Sequence, residues 1–432
     1  MPEHLQTLQA SKITPSRLLQ KSDQSSLDCA CLFRALWGKE NPGGLMIGAF
    51  TFNTSQRIVF ENGAAANLAS HAASFLGPRP FLVTDPGIVS LGLQASCEAS
   101  LVGAGHDIAR FSDVVADPPR SLVDAAVDAA RSHGATSIIG YGGGSSLDVA
   151  KLVALLLGSN EDLDEAWGIG NAKGPRLPLI LVPTTAGTGS EVTPISIITV
   201  GDEEKRGVVS PFLLPDLAIL DPLLTLGLPG PVTAATGIDA MVHAIEGYAS
   251  KSVNNNPVSR TLAVEALKLL GANIEKAVFT PDDKDARGAM LLGSMLAGMA
   301  FANSPVAAVH ALAYPIGGTF HVPHGLSNAL VLPHVLKFNN AVASETYAEI
   351  APIVFPALAE VNDARTRSDL FADNLADLAA KLGLQTRLRD VGISETDLPK
   401  MASDAMKQTR LLVNNPRELG ETDALEIYRA AL

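Results

Sequence analysis

From residue 47 onward the chain alternates short apolar runs with stretches of helical spacing. Residues 50–53 and 57–60 read as short strands, and 64–75 has helical spacing. Residues 79–85 form an apolar run that ends in a carboxylate, Asp85. A helix is predicted over 122–133, and strands over 135–140, 177–183 and 217–222. Strands alternating with helices point to a parallel sheet covered on both faces. After about residue 229 the strand signals stop, and 232–250, 257–278, 285–302 and 363–382 all carry helical spacing. The pattern therefore predicts an α/β domain over 47–228 and an all-helical domain over 229–432. Residues 1–46 differ from the rest and read as an amino-terminal extension without recognisable chemistry.

Composition narrows the classes. A length of 432 residues suits two domains, and a hydrophobic content of 47% allows a large core. The net charge of −13, with scattered Lys and Arg, argues against nucleic acid and anionic membranes as partners. Cys29, Cys31 and Cys97 form no framework and read as reduced thiols. The first residues carry no basic-then-apolar pattern, so a cytoplasmic protein is expected. The uncharged run 288–309 contains Ser294, Asn303, Ser304 and Pro305, and reads as a buried core helix.

Three stretches carry chemistry. In the first, Gly140 to Lys151, a run of glycines (Gly142, Gly143, Gly144) followed by Ser145 and Ser146 connects a strand to a helix. Glycines let a phosphate approach the backbone, and a helix N-terminus offers unpaired N–H groups. The stretch is neither a GxGxxG nor a Walker A loop, and alone it could be a flexible linker. Asp85, at the end of an early strand, could accept from both ribose hydroxyls of an adenosine, or simply initiate the turn at Pro86-Gly87. In the second stretch, small and hydroxylated residues including Thr184, Thr185 and Thr188 follow another strand. They could line a dinucleotide pocket or form a capped turn. In the third, Asp239 and His243 lie four apart on a predicted helix and hence on one face. Such a pair alone is more often a surface or satisfied core pair. His310 and His324 offer two further ligands, and five of the nine histidines fall between 243 and 334. One carboxylate with three imidazoles suits Fe²⁺ or Zn²⁺ better than Ca²⁺ or Mg²⁺.

Together, GGGSSLDVAK, PTTAGTGSEVT, GIDAMVHAIEGY and VHALAYPIGGTFHVPHGLSNALVLPHV resemble the motifs of the iron-containing (group III) alcohol dehydrogenase family, from about residue 48 to 430. The resemblance implies a dehydroquinate synthase-like fold, with a Rossmann-like α/β domain, a helical domain and a cleft between them. It implies that Asp239, His243, His310 and His324 hold the metal. It places Gly142, Gly143, Gly144, Ser145 and Asp148 at the pyrophosphate of NAD, and Thr184, Thr185 and Thr188 along the rest of the dinucleotide. By the same resemblance Lys205 reaches the cofactor ribose, Asp85 favours NAD over NADP, and the protein is a homodimer or larger homo-oligomer.

Two positions depart from the family pattern. Tyr314 stands where many members carry a second, proton-relaying histidine, and resembles the hydroxyacid–oxoacid transhydrogenase and maleylacetate reductase branches. Asp117 stands where an asparagine is usual. His321, three residues before a ligand, reads either as a relay or as a polar wall residue. The expected function is metal-dependent, NAD-linked hydride transfer between a small alcohol and its aldehyde or ketone, with Fe²⁺ favoured over Zn²⁺. The alternatives are a transhydrogenase that keeps its NAD bound, a maleylacetate reductase-like enzyme, and a non-redox NAD-using lyase of the same fold.

Overall fold

The computed structural model describes residues 48–201 and 204–432. The extension read over 1–46 lies outside them. Strands β1 (Arg57–Phe60), β2 (Pro80–Val83), β3 (Ala109–Phe111), β4 (Ser137–Gly142), β6 (Leu179–Pro183) and β9 (Leu217–Leu220) form one six-stranded sheet in the order β1-β9-β6-β4-β2-β3. Every pairing in it is parallel. The strands are apolar on both sides, and the period of two sorts their residues between two cores. Phe81, Val83, Ile138, Leu179 and Leu181 pack toward helices α1 (Arg120–His133) and α2 (Gly144–Ser159). Leu82, Ile139, Ile180, Val182 and Ile219 face the opposite layer, with Leu68, Cys97 and Leu101. A second sheet holds β5 (Gly168–Ile169), β8 (Glu204–Val209) and β7 (Ile195–Val200), with β7 and β8 antiparallel.

Beyond β9 the chain is helical: α3 (Gly230–Ala249), α4 (Pro257–Phe279), α5 (Lys284–Asn303), α6 (Ala308–Phe320), α7 (His324–Val354), α8 (Ala364–Lys381), α9 (Leu398–Ala405), α10 (Thr409–Leu412) and α11 (Glu421–Ala431). Helix α3 is buried almost all round, as its apolar and small residues require, and packs on α4, α5 and α7. The fold is thus the expected one, a parallel α/β half joined to a helical half.

Three local expectations fail. Residues 50–53 form no strand. Their backbone is held instead by side chains: Thr51 N–H donates to Asn254 Oδ1 and Asn53 N–H to Asn303 Oδ1. The stretch 64–75 is only a 3-10 turn, Ala64–Asn67, and one short helix, Leu68–His71. The uncharged run 288–309 is two helices rather than one. Pro305 has no N–H to donate and pushes Ser304 out of helical geometry, to φ −145° and ψ 87°. Helices α5 and α6 consequently meet at 108°, which swings His310 back toward α3. Among the described residues no single helix is long and apolar enough to cross a membrane.

Candidate metal and cofactor centre

Asp239 and His243 sit one turn apart on α3 and are only 2% and 5% exposed. His310 lies in the first turn of α6, and His324 is the first residue of α7. One donor atom from each of the four lies within 4.8 Å of the others. The close approach of α7 to α3 depends on the residue after His324. A Cβ on Gly325 would stand 2.3 Å from the carbonyl oxygen of Ala235, so only glycine lets His324 reach Asp239.

The ligand rings are oriented from behind. His310 Nδ1 lies 2.7 Å from Glu246 Oε2, and the other oxygen of Glu246 accepts from Val309 N–H at 2.7 Å. His243 Nδ1 lies 3.2 Å from the Gly187 carbonyl. With Nδ1–H donating in both rings, Nε2 presents a lone pair to the centre. Asn328 adds a donor: its amide meets Asp239 Oδ1 at 2.6 Å and lies 3.3 Å from Nε2 of both His310 and His324. Asn328 Oδ1 has no partner.

The electrostatics favour the deprotonated forms of Asp239, His243 and His324. Burial drives the His243 imidazole down to about 3. It lowers His324 too, although 43% of that side chain opens onto the cleft while its Nε2 faces Asp239. Burial by itself would raise Asp239, but the three imidazoles and the Asn328 amide hold its carboxyl below the usual range. Neutral imidazoles around one carboxylate are the form that binds a borderline divalent cation, so the residues present fit such a metal.

Across the cleft, two loops leave the carboxyl ends of the neighbouring parallel strands β4 and β6, where open α/β sheets bind ligands. The first carries Gly142, Gly143, Gly144 and Ser145 into the N-terminus of α2. The second carries Thr184, Thr185 and Thr188. Gly144, Ser145, Thr188 and Lys205 line the same cleft as His243, His310 and Tyr314. Asp85 does two things at once. Its Oδ1 caps a short helix by accepting from Ile88 N–H at 3.0 Å, and its Oδ2 accepts from Ser146 Oγ at 3.3 Å, beside the glycine loop.

Other expected residues have different surroundings. The Asp148 carboxylate is engaged by the protein itself, accepting from Ser190 Oγ at 2.6 Å and Ile197 N–H at 2.8 Å. It ties the glycine loop's helix to the second loop and to β7 while still lining the cleft. Beneath it, fully buried Lys151 donates to Ser190, Thr193 and the Ile195 carbonyl, and burial lowers its pKa to about 8. Lys205 reaches the cleft but pairs with Asp117 at 2.6 Å and donates to Thr199 Oγ1 at 2.9 Å. Tyr314 follows His310 by one turn. Its ring centre is 6.2 Å from that of His324, and its hydroxyl accepts from Arg410 at 3.2 Å. His321, at a left-handed φ of 56°, ends α6 as an exposed cap and is absent from the cleft lining.

Three residues of the centre escape a reading of the sequence by motif alone: Glu246, Asn328 and Arg410. For two of them the signal is helical spacing. Glu246 lies seven residues after Asp239 on α3, and Asn328 lies four after His324 on α7.

Two family profiles cover the chain, Iron-containing alcohol dehydrogenase over residues 55–222 and Fe-containing alcohol dehydrogenase family, C-terminal, over 233–432. The chain belongs to the iron-containing alcohol dehydrogenase family. It is 42% identical over 360 residues to Long-chain-alcohol dehydrogenase 1 of Geobacillus thermodenitrificans, covering 82% of this chain and 90% of that one. It is 36% identical to Sulfoacetaldehyde reductase of Bilophila wadsworthia, covering 88% of this chain and 99% of that one. Among solved structures, a 1,3-propanediol oxidoreductase superposes with a TM-score of 0.86 at 33% identity, over 89% of this chain and 100% of that one. The chain is therefore a metal-containing, NAD-linked oxidoreductase that interconverts an alcohol and its carbonyl compound by hydride transfer, with a metal and a nicotinamide-type dinucleotide as cofactors.

Proposed function

We propose that the enzyme uses iron, held by Asp239, His243, His310 and His324, and NAD rather than NADP, to oxidise or form a small alcohol. The observation that carries this reading is the quartet, three of its members buried and His324 opening onto the cleft, opposite a glycine-rich helix N-terminus. When bound, the metal would polarise the substrate oxygen and the nicotinamide would exchange a hydride with the neighbouring carbon. The chain supplies the rest. Glu246 and the Gly187 carbonyl fix two imidazoles in one tautomer. The α2 N-terminus and Ser145 receive the pyrophosphate, and Thr184, Thr185 and Thr188 line the dinucleotide path. Asp85 opposes a 2′-phosphate. Tyr314, one turn after His310 and with its ring beside that of His324, is assigned the proton exchange; its nearness to the metal ligands supports this.

The proposal extends to two lobes, 47–228 and 229–432, to a homo-oligomer and to the cytoplasm. Iron is preferred to zinc on the family profile, since the ligand chemistry accepts both. The second reading, a transhydrogenase that retains its NAD, rests on Tyr314 in place of a relay histidine. The test is NADH formation by iron-loaded enzyme with a panel of short alcohols, diols and hydroxy acids. Metal-dependent NADH supports the dehydrogenase. Exchange between a hydroxy acid and an oxo acid, without free NAD and without net NADH, moves the assignment to the transhydrogenase.

A further inference from the structure

We infer that Arg410 recognises an anionic group of the substrate, so that the alcohol or carbonyl compound turned over carries a carboxylate or a sulfonate. The inference rests on the dehydrogenase reading and names its substrate class.

The cations of the cleft differ in how far they are already neutralised. Lys205 is neutralised by Asp117 at 2.6 Å. Lys151 is buried below the loops, with Asp148 at 3.7 Å. Arg410 lines the cleft and, among the described residues, has no carboxylate within ion-pair distance; Glu204 and Asp404, which share a second pocket with it, pair with Arg206 and Lys407. Its guanidinium makes one hydrogen bond, from Nη2 to Tyr314 Oη at 3.2 Å, and lies 6.0 Å from the centre of the same ring. A guanidinium carries five N–H donors, and a half-buried one left without an anion keeps most of that capacity for a ligand.

Position decides which ligand. Arg410 lies on α10, which packs against α6, the helix of His310 and Tyr314. It touches Tyr314, whose ring neighbours the ring of His324. Arg410 therefore stands at the metal-ligand end of the cleft, where the reacting carbon sits, whereas the pyrophosphate loop is carried by α2. A carboxylate or sulfonate a few bonds from the reacting carbon offers two coplanar oxygens to the guanidinium fork. With Glu246 behind His310, the centre brings two carboxylates, which a divalent cation balances, so selection for an anion falls to Arg410.

The test compares matched substrates with the metal-loaded enzyme and NAD: 3-hydroxypropanoate against 1-propanol, and 2-hydroxyethanesulfonate against ethanol. We expect kcat/KM to favour at least one anion by about 10- to 100-fold, mostly through KM. The two anion arms show whether carboxylate or sulfonate is the natural group. Arg410→Gln should reduce that ratio toward one, and Arg410→Lys should restore part of it. A wild-type preference for the neutral alcohols, or equal losses on both classes in Arg410→Gln, overturns the inference and leaves the dehydrogenase reading intact. Absence of turnover with every alcohol counts against the dehydrogenase reading instead. In that case calorimetric titration of the metal-loaded protein with the same two anions decides. Binding that Arg410→Gln abolishes upholds the anion site, and no binding, or binding unchanged by the substitution, rejects it.

Discussion

Glu246→Gln is the most informative single change behind the metal centre. Both carboxylate oxygens are in use, one to His310 Nδ1 and one to Val309 N–H, each at 2.7 Å. Glutamine has nearly the same volume, so packing is preserved, but it offers one acceptor where two donors converge. Whichever way the amide turns, an NH₂ group faces either the backbone N–H or the ring N–H. The side chain is only 6% exposed, so water cannot fill in, and an unsatisfied buried donor costs about 1–3 kcal/mol. The imidazole then has reason to rotate or change tautomer, which removes the Nε2 lone pair from the centre. Loss of such an outer partner typically costs about 10- to 100-fold in metal affinity. The assay is competition with a chelator for Fe²⁺ or Co²⁺, alongside NAD titration by fluorescence. Metal affinity should fall by at least tenfold while NAD affinity stays within about twofold. A variant that binds metal as tightly as wild type would refute the orienting role.

Three further outcomes are expected. A Cβ on Gly298 would lie 2.9 Å from backbone atoms of Gly189, so Gly298→Ala should push the 184–191 loop off α5, costing about 1–3 kcal/mol in urea unfolding and weakening NAD binding. Burial raises Glu191 to about 7, so the folded state keeps a proton that the unfolded chain releases from about 4.5 upward. Stability from this group is therefore lost as pH rises from about 4.5 to 7, and Glu191→Gln should flatten the slope by up to ~3 kcal/mol, as measured by urea unfolding at pH 5 and pH 7.5. Asp85→Asn should raise the NADP-to-NAD ratio of kcat/KM by roughly tenfold, the size of one repulsion of ~1.4 kcal/mol; an unchanged ratio would leave Asp85 as only a helix cap.

Much of this was legible in the sequence because the chemistry depends on helical periodicity. Asp239 and His243 share a face of one helix wherever that helix packs, and the strand-to-helix glycine loop has its geometry built in. What escaped was long-range. The β7–β8 hairpin is half-exposed and carries the charged stretch at Glu204–Arg206, so its alternation is weak. Residues 50–53 have the apolar spacing of a strand, but the distant side chains of Asn254 and Asn303 take their backbone groups instead. The motif singled out Asp148, but only the fold reveals that its oxygens accept from Ser190 and Ile197. Arg410 lies 96 residues from Tyr314, and nothing local announces their contact.

The most direct test of the central claim is metal content measured together with metal-dependent NADH formation in wild type and His243→Ala. The account predicts about one iron per chain and iron-dependent turnover in the wild type. It predicts loss of both in His243→Ala, with NAD binding retained. Full activity in a metal-free His243→Ala protein would contradict it.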